Sequence, residues 1–298
     1  TFIGQEIKDG GQVELDPIKK INFVEHEDKN IIDDGKFSTA ATGNKIHEES
    51  DIDKLRDAAT VKIDDYKEKI DIFWKEVKTF MHEQHIINAF TRWSPWLKNQ
   101  EYLRGWSNII DLGNTIYIDC TSEEGILQNI KSKDRATIRK AIKNGIVVQH
   151  SDDTTLFEKF YSIYNATMDK DNADDYYYFK PEFYKSMTEN LQGKWEFFYA
   201  VLGEEIIAMS IMLMCNGRMH YHLSGSVMEF RNLNATNLIL YEAAKYGAQH
   251  GYKLLHLGGG VGSGEDPLYK FKKTFNKNGD IGFSISKDCF DENKYSYL

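Results

Sequence analysis

Proline and cysteine are scarce in this chain, whose 298 residues include 4 Pro and 3 Cys. Cys120, Cys215 and Cys289 lie far apart with no Cys-x-x-Cys pair, which argues against a zinc ribbon, a redox dithiol and a dense disulfide framework. All three are expected to be reduced and buried. No apolar run approaches the roughly 18 residues that a membrane-spanning helix needs, and the opening TFIGQEIKDGG lacks the basic-then-apolar pattern of a signal peptide. The expectation is a cytoplasmic protein without a transmembrane segment. Positive charge is also in short supply, with 37 Lys and Arg against 46 Asp and Glu and a net charge of −9. That balance argues against a surface that binds nucleic acid throughout, so any such role must rest on a local basic stripe. What is present is an ordinary globular mixture, 41% hydrophobic and 28% charged. At roughly 150 residues per domain, the length predicts two domains.

Residues 1–57 carry 14 acidic and 8 basic residues between short apolar runs and read as strands and loops of a smaller first domain. Over residues 64–85, Ile70, Phe73, Trp74, Val77, Phe80 and Met81 recur at three- and four-residue steps, the period of one buried helix face. Residues 86–93 and 114–120 read as strands. A helix is predicted over 131–144, with Ile138, Ala141 and Ile142 inward and Asn144-Gly145 as its stop. The second half is more regular: a strand at 146–150, helices at 154–168 and 181–191, then β-rich runs at 195–202, 206–215 and 218–224. The last two runs are joined by Asn216-Gly217, a type I′ hairpin dipeptide. A helix at 237–250, a strand at 253–257, a helix at 267–275 with Leu268, Phe271 and Phe275 on its inner face, and a strand at 281–286 complete the order. Antiparallel hairpins followed by a βαβ unit make an α+β layout.

Three groups of residues invite chemistry. Lys131, Arg135, Arg139 and Lys143 stand at four-residue steps and, flanked by Lys133 and Lys140, make a basic stripe on one helix. It is either a solvated face or a phosphate-contacting surface. Gly258, Gly259, Gly260, Gly262 and Gly264 follow a strand, but Ser263 stands where a dinucleotide fingerprint needs its last glycine and no Gly-Lys-Ser/Thr follows. A loop that lets backbone approach a substrate, or a plain surface loop, remains. His220 and His222 share a strand face without a Cys, Asp or Glu at ligand spacing, so no metal is expected. His222 is a candidate substrate contact, His256 a hydrogen-bonded core residue, and His82 and His85 surface residues.

The element order resembles the Gcn5-related N-acetyltransferase (GNAT) fold. Within it, YHLSGS (221–226), Asn-Ala-Thr-Asn (234–237), LLHLGGG (254–260), DPLYKFKKTF (266–275), and upstream IDLGNTIYIDC, DRATIRKAIKNGIVV (134–148) and TMDKDNADDYYYF (167–179), resemble the Fem family of peptidoglycan bridge-forming aminoacyltransferases over residues 86–298. The resemblance implies two GNAT-like domains with mixed sheets flanked by helices, and we place them at 1–145 and 146–279, with 280–298 packing on the first. It implies transfer of an aminoacyl group from aminoacyl-tRNA to an amine of a cell-wall precursor, with no metal or cofactor. Phe271 and Lys272 match the family's Phe-Lys pair at the acyl-transfer site, and Tyr269 stands where acetyltransferases use a tyrosine as general acid. The basic stripe then reads as a tRNA contact. Substrate-binding candidates are Arg92, Lys170, Tyr176, His222, Ser226, Arg231 and Asn234.

The departures bear on substrate. Arg92-Trp93-Ser94-Pro95 replaces the family's Arg-x-Asp-Pro, and Lys170 replaces an Arg that could grip a phosphate with both arms of its fork. A diphosphate-linked muropeptide is therefore a doubtful acceptor. Acetyltransferases hold the coenzyme A pyrophosphate on an Arg/Gln-x-x-Gly-x-Gly/Ala loop before a helix. Here the stretch is Arg231-Asn-Leu-Asn234-Ala-Thr236, without either glycine. An acyl-CoA-dependent N-acyltransferase acting on an amino sugar, using acetyl-CoA, is the alternative. A non-catalytic binding module on the same fold is the rival from another class.

Overall fold

The computed structural model describes residues 2–3, 49–261 and 264–296. Expectations for residues 4–48 fall outside it, and residues 49–57, expected as strands and loops, are helical. The chain divides into two compact units, Thr1–Arg92 with Asn99–Ile109 and Ser286–Leu298, and Trp93–Lys98 with Ile110–Ile285. The expected boundary at 145 falls inside the second unit.

In the first unit, β1 (Phe2–Ile3) pairs antiparallel with β2 (Asn88–Arg92). The long α1 (Glu49–Glu83) buries Trp74, whose ring meets Phe290 at 6.4 Å, while Trp106 donates its indole hydrogen bond to Asp71. Phe73 and Phe80, expected on the buried face of α1, are 47% and 44% exposed. The buried position is Trp74, one step further round the helix. Ser107 Oγ and the Asn108 backbone N–H both donate to the buried Asp288 carboxylate, tying residues 99–109 to the chain end.

The second unit is a mixed sheet between helices. Strands β3 (Ile109–Asp119), β4 (Ile146–Ser151), β5 (Trp195–Leu202), β6 (Glu205–Cys215), β7 (Arg218–Ser226), β8 (Leu254–Gly258) and β9 (Asp280–Cys289) lie in the order β9-β3-β8-β7-β6-β5-β4. The β4 to β7 meander is antiparallel, β7 and β8 are parallel, and β8 and β3 antiparallel. Asn216 and Gly217 both take positive φ, 48° and 68°, as the predicted hairpin turn requires. On one face α2 (Glu123–Asn129), α3 (Ser132–Lys143) and α6 (Ala235–Gln249) cover a core of Ile118, Ile126, Ile138, Leu238, Ile239, Ala243 and Leu255. On the other, α4 (Phe157–Lys170) and α5 (Pro181–Asn190) bury Phe160, Tyr164, Tyr184 and Met187 against Trp195 and Phe197. Gly225 of β7 is required for this packing, since a Cβ there would lie 2.8 Å from the Ile163 carbonyl oxygen of α4. Ile142, expected inward on α3, is 50% exposed; α2, which lacks a long apolar period, was not anticipated. Of the cysteines, all free, only Cys120 is buried; Cys215 and Cys289 end strands and are exposed. No helix among the described residues is long and apolar enough to cross a membrane.

Candidate active site

Two strand irregularities build the site. In the β6·β7 ladder the register steps from Ile211↔Leu223 to Met212↔Tyr221, which leaves His222 as an extra residue. In β3·β8 it steps from Ile116↔Gly258 to Tyr117↔His256, leaving Leu257 extra. Such bulges turn the side chains beyond them, and they explain why Tyr221 packs on one face of the sheet and Leu223 on the other. The parallel β7·β8 pairing covers only Arg218↔Leu254, Met219↔Leu255 and His220↔His256. Past the histidines β7 runs on for six residues without β8, so the sheet opens there.

The helix α7 (Pro267–Lys273) stands beside this opening, started by Pro267 at its first turn and by Asp266, whose carboxylate accepts from the Tyr269 backbone N–H at 2.7 Å. The same carboxylate accepts from Val261 N–H at 2.7 Å. It fills the place a Cβ on Gly260 would need, so the glycine serves a chain that folds back on its own helix cap. The inner face of α7 is Tyr269, Lys272 and Phe275, which corrects the expected Leu268, Phe271 and Phe275: Leu268 is 40% exposed and Phe271 is half-buried against Phe275.

Lys272 is only 8% exposed and its Nζ donates to the Gly259 carbonyl oxygen at 2.7 Å. Burial lowers its ammonium to about 8, against a smaller upward pull from Asp266. A half-buried group of rings surrounds the opening. Trp96 meets Tyr117 and His256 edge-on at 5.2 and 5.4 Å, and His220 stands 5.0 Å from His256 and 6.0 Å from His222. Burial lowers His220 to about 3 and His256 to about 4, with the Lys272 charge adding to both, and burial lowers His222 as well. His256 Nε2, expected to be hydrogen-bonded in the core, is buried without a partner. A buried ammonium beside neutral imidazoles can stabilise developing negative charge while leaving lone pairs free to take protons.

Tyr269 is turned elsewhere. Its hydroxyl donates to Asp280 Oδ1 at 2.5 Å, Lys273 pairs with the same carboxylate, and burial raises the phenol. These groups line a cavity of about 340 Å³ with Asn114, Lys131, Glu265 and Lys270. Lys131, at the start of α3, is thereby brought to Tyr269, its backbone N–H donating to Thr274 O at 2.8 Å. Of the basic stripe, Lys131, Arg139 and Lys143 are exposed, whereas Arg135 is half-buried and donates to the Leu127 and Ile130 carbonyls that end α2.

The other candidates are spread along the unit. His222 stands 6.3 Å from the Phe183 ring; Ser226 is tied through its backbone to Thr167 of α4; Lys170 is exposed and paired with Asp171. Tyr176 is 76% exposed. Arg231 is exposed, with its guanidinium directed at Met228 Sδ, and Asn234 starts α6 in the left-handed region at φ 58°, its side chain donating back to Asn232 O. Arg92 ends β2 of the first unit with its guanidinium over the Phe90 ring. Sequence reasoning passed over His220, His256, Trp96 and Asp266 as site residues. The alternating His220-x-His222 was the available signal, but only the bulges and the parallel pairing turn it into a cluster. No group of three potential metal ligands occurs among the described residues.

The mixed sheet and its opening beside a buried lysine are those of an acyltransferase. Residues 128–273 match the model of the acetyltransferase (GNAT) domain family. The crystal structure of FemX is similar with a TM-score of 0.62 at 13% identity, covering 78% of this chain and 79% of that one. The structure of L-PGS from Bacillus licheniformis gives 0.52 at 13% identity, covering 72% and 73%. A conserved protein of unknown function from Bacteroides thetaiotaomicron gives 0.55 at 9%, covering 71% and 73%. At these identities the likeness is one of fold. No curated protein matches the chain in sequence.

Proposed function

We propose that this acyltransferase moves an aminoacyl group from aminoacyl-tRNA to an amine of a cell-wall or surface-glycan precursor. The observation that carries the reaction is the buried Lys272 ammonium at the opening of β7 and β8. As the amine attacks the ester carbonyl, charge builds on the carbonyl oxygen and then on the departing ribose oxygen, and a desolvated cation is worth more to either than a solvated one. The donor assignment is supported by the entry to α6. Asn234 takes the left-handed conformation with a side chain, where a pyrophosphate laid on backbone N–H groups favours glycine. The exposed cations of α3 and the Fem-like motifs support the same donor. An acyl-CoA donor is the second reading, favoured by the acetyltransferase family match.

Charged tRNA and acetyl-CoA, titrated into the same preparation with an amino-sugar acceptor present, separate these readings. We expect transfer from charged tRNA and acetyl-CoA binding on the order of millimolar or weaker, about −4 kcal/mol. Replacing Arg139 and Lys143 by Gln should flatten the salt dependence of tRNA binding by about 0.7 to 0.9 log units per lost contact. Micromolar acetyl-CoA binding that Arg231→Ala abolishes would promote the second reading.

A further inference from the structure

The cavity of about 340 Å³ beside α7 is unused by the reading above. It has room for more than a bare ion, since cavities that hold small ligands run from about 300 to 1,000 Å³. Its walls include the start of α3, one side of α7 and the first residue of β9, all in the second unit. Three ammonium groups, Lys131, Lys270 and Lys273, meet two carboxylates, Glu265 and Asp280, so the lining carries one positive charge in excess. Asp280 is occupied by the Tyr269 hydroxyl and by Lys273. Lys131, Lys270 and Glu265 have no ion pair among the described residues. Burial, and then the Lys131 charge, hold the Lys273 ammonium below the ordinary lysine value, against the pull of Glu265. Like charges gathered in this way repel, and an anion between them removes the repulsion.

Charge and position together select the ligand. Lysine meets phosphate as a point charge, and one excess positive charge matches the single negative charge of a phosphodiester. A phosphate monoester, with nearly two charges near neutral pH, matches it less well. Glu265 at the same wall is an acceptor for a hydroxyl, and ribose supplies one in its 2′-OH. At 3.6 residues per turn, Tyr269 lies about 60° round α7 from Lys272, and Lys273 about 40° further. The helix is about 10 Å across, so a phosphate in the cavity and an ester at Lys272 stand on neighbouring sides of one turn. In the other direction Lys131 joins the cavity to α3, whose Arg139 and Lys143 are exposed. We propose that this cavity holds a backbone phosphodiester of the donor tRNA close to its acylated end, an inference that rests on the function proposed above. The cations of α3 then lie along the strand, and the cavity fixes the distance from its last phosphates to Lys272.

The full chain and uncharged tRNA test the site without reference to activity. Amine-reactive labelling of the unaltered protein, read by mass spectrometry, is expected to show Lys131 and Lys270 protected by tRNA while the exposed Lys185 of α5 labels as before. Inorganic phosphate and 5′-AMP at the same concentration should protect neither. Lys270→Gln should weaken tRNA binding about fourfold near 0.15 M salt and flatten its salt dependence by about 0.7 log units. Glu265→Gln removes a negative charge and keeps an acceptor, so it should strengthen binding by a similar factor. A merely structural role for these two exposed residues would not move the affinity in opposite directions. Protection by 5′-AMP or phosphate but not by tRNA overturns the assignment to the donor. If tRNA binds while Lys131 and Lys270 label as before, or while both variants bind it like the unaltered protein, the site is overturned and the donor reading stands. A chain that neither binds tRNA nor takes an aminoacyl group from it overturns the donor reading and the site with it.

Discussion

Lys272 is held where a cation is expensive, and its pKa records the cost: burial brings the ammonium to about 8 from an ordinary 10.5. Removing the ammonium while keeping an apolar stem, in Lys272→Met, should lower kcat roughly a hundredfold or more, with an unchanged circular dichroism spectrum. If the cation is the active form, turnover falls as pH rises through about 8. The stability sign is opposite in sense. Between about 8 and 10.5 the unfolded chain holds this proton more firmly than the folded one, so stability rises with pH across that window and the penalty is fully present below it. Lys272→Met should accordingly be no less stable than the unaltered protein at pH 7, as a melting curve will show. A Met variant that turns over normally would remove Lys272 from the chemistry.

At the scale of elements, the loop and helix that carry Lys272 depend on one carboxylate. Asp266 caps α7 through Tyr269 N–H and holds the glycine turn through Val261 N–H, and it is the nearby charge that partly offsets the burial of Lys272. Asp266→Ala should cost about 1 kcal/mol or somewhat more in stability through the lost cap. It should also move the alkaline fall in activity below about 8, because the upward pull on the ammonium is gone. Asp266→Asn keeps a cap acceptor, so it should restore most of the stability but not the pH profile. An Asn variant whose profile returns to that of the unaltered protein would assign Asp266 to folding alone. The α3 stripe shows how an element divides its residues between tasks. Arg139 and Lys143 point to solvent, whereas Arg135, one turn before Arg139 and identical in sequence character, closes the carbonyl end of α2. The four-residue period was legible; which cation would be spent on a neighbouring helix was not, since α2 itself left little trace in the sequence.

For the whole molecule, acid stability should follow the histidines of the second unit. Their folded values lie near 3 and 4 against an ordinary 6.5, so the stability they contribute is complete above about 6.5 and is lost as pH falls towards those folded values. His220→Phe with His256→Phe should give a shallower acid limb in denaturation between pH 6.5 and 4; an unaltered limb would place the acid sensitivity elsewhere. The amino-acid sequence by itself determined the β4 to β8 order, the hairpin turn at Asn216-Gly217, and the starts and stops of α3, α5 and α6, because period, turn chemistry and caps are local properties, whereas Lys272 entered among the candidates through the resemblance of its segment to the Fem family. It misassigned the inner face of α7, where Leu268 yields to Tyr269 and Lys272, and the outer half of the α1 stripe, because which side of a helix is covered depends on its neighbours. The grouping of His220, His256 and Trp96 around Lys272 was decided only by tertiary structure. It arises from two bulges and a three-residue parallel pairing between strands whose paired residues are 36 positions apart in the chain, and no local pattern reports the register of such a pairing.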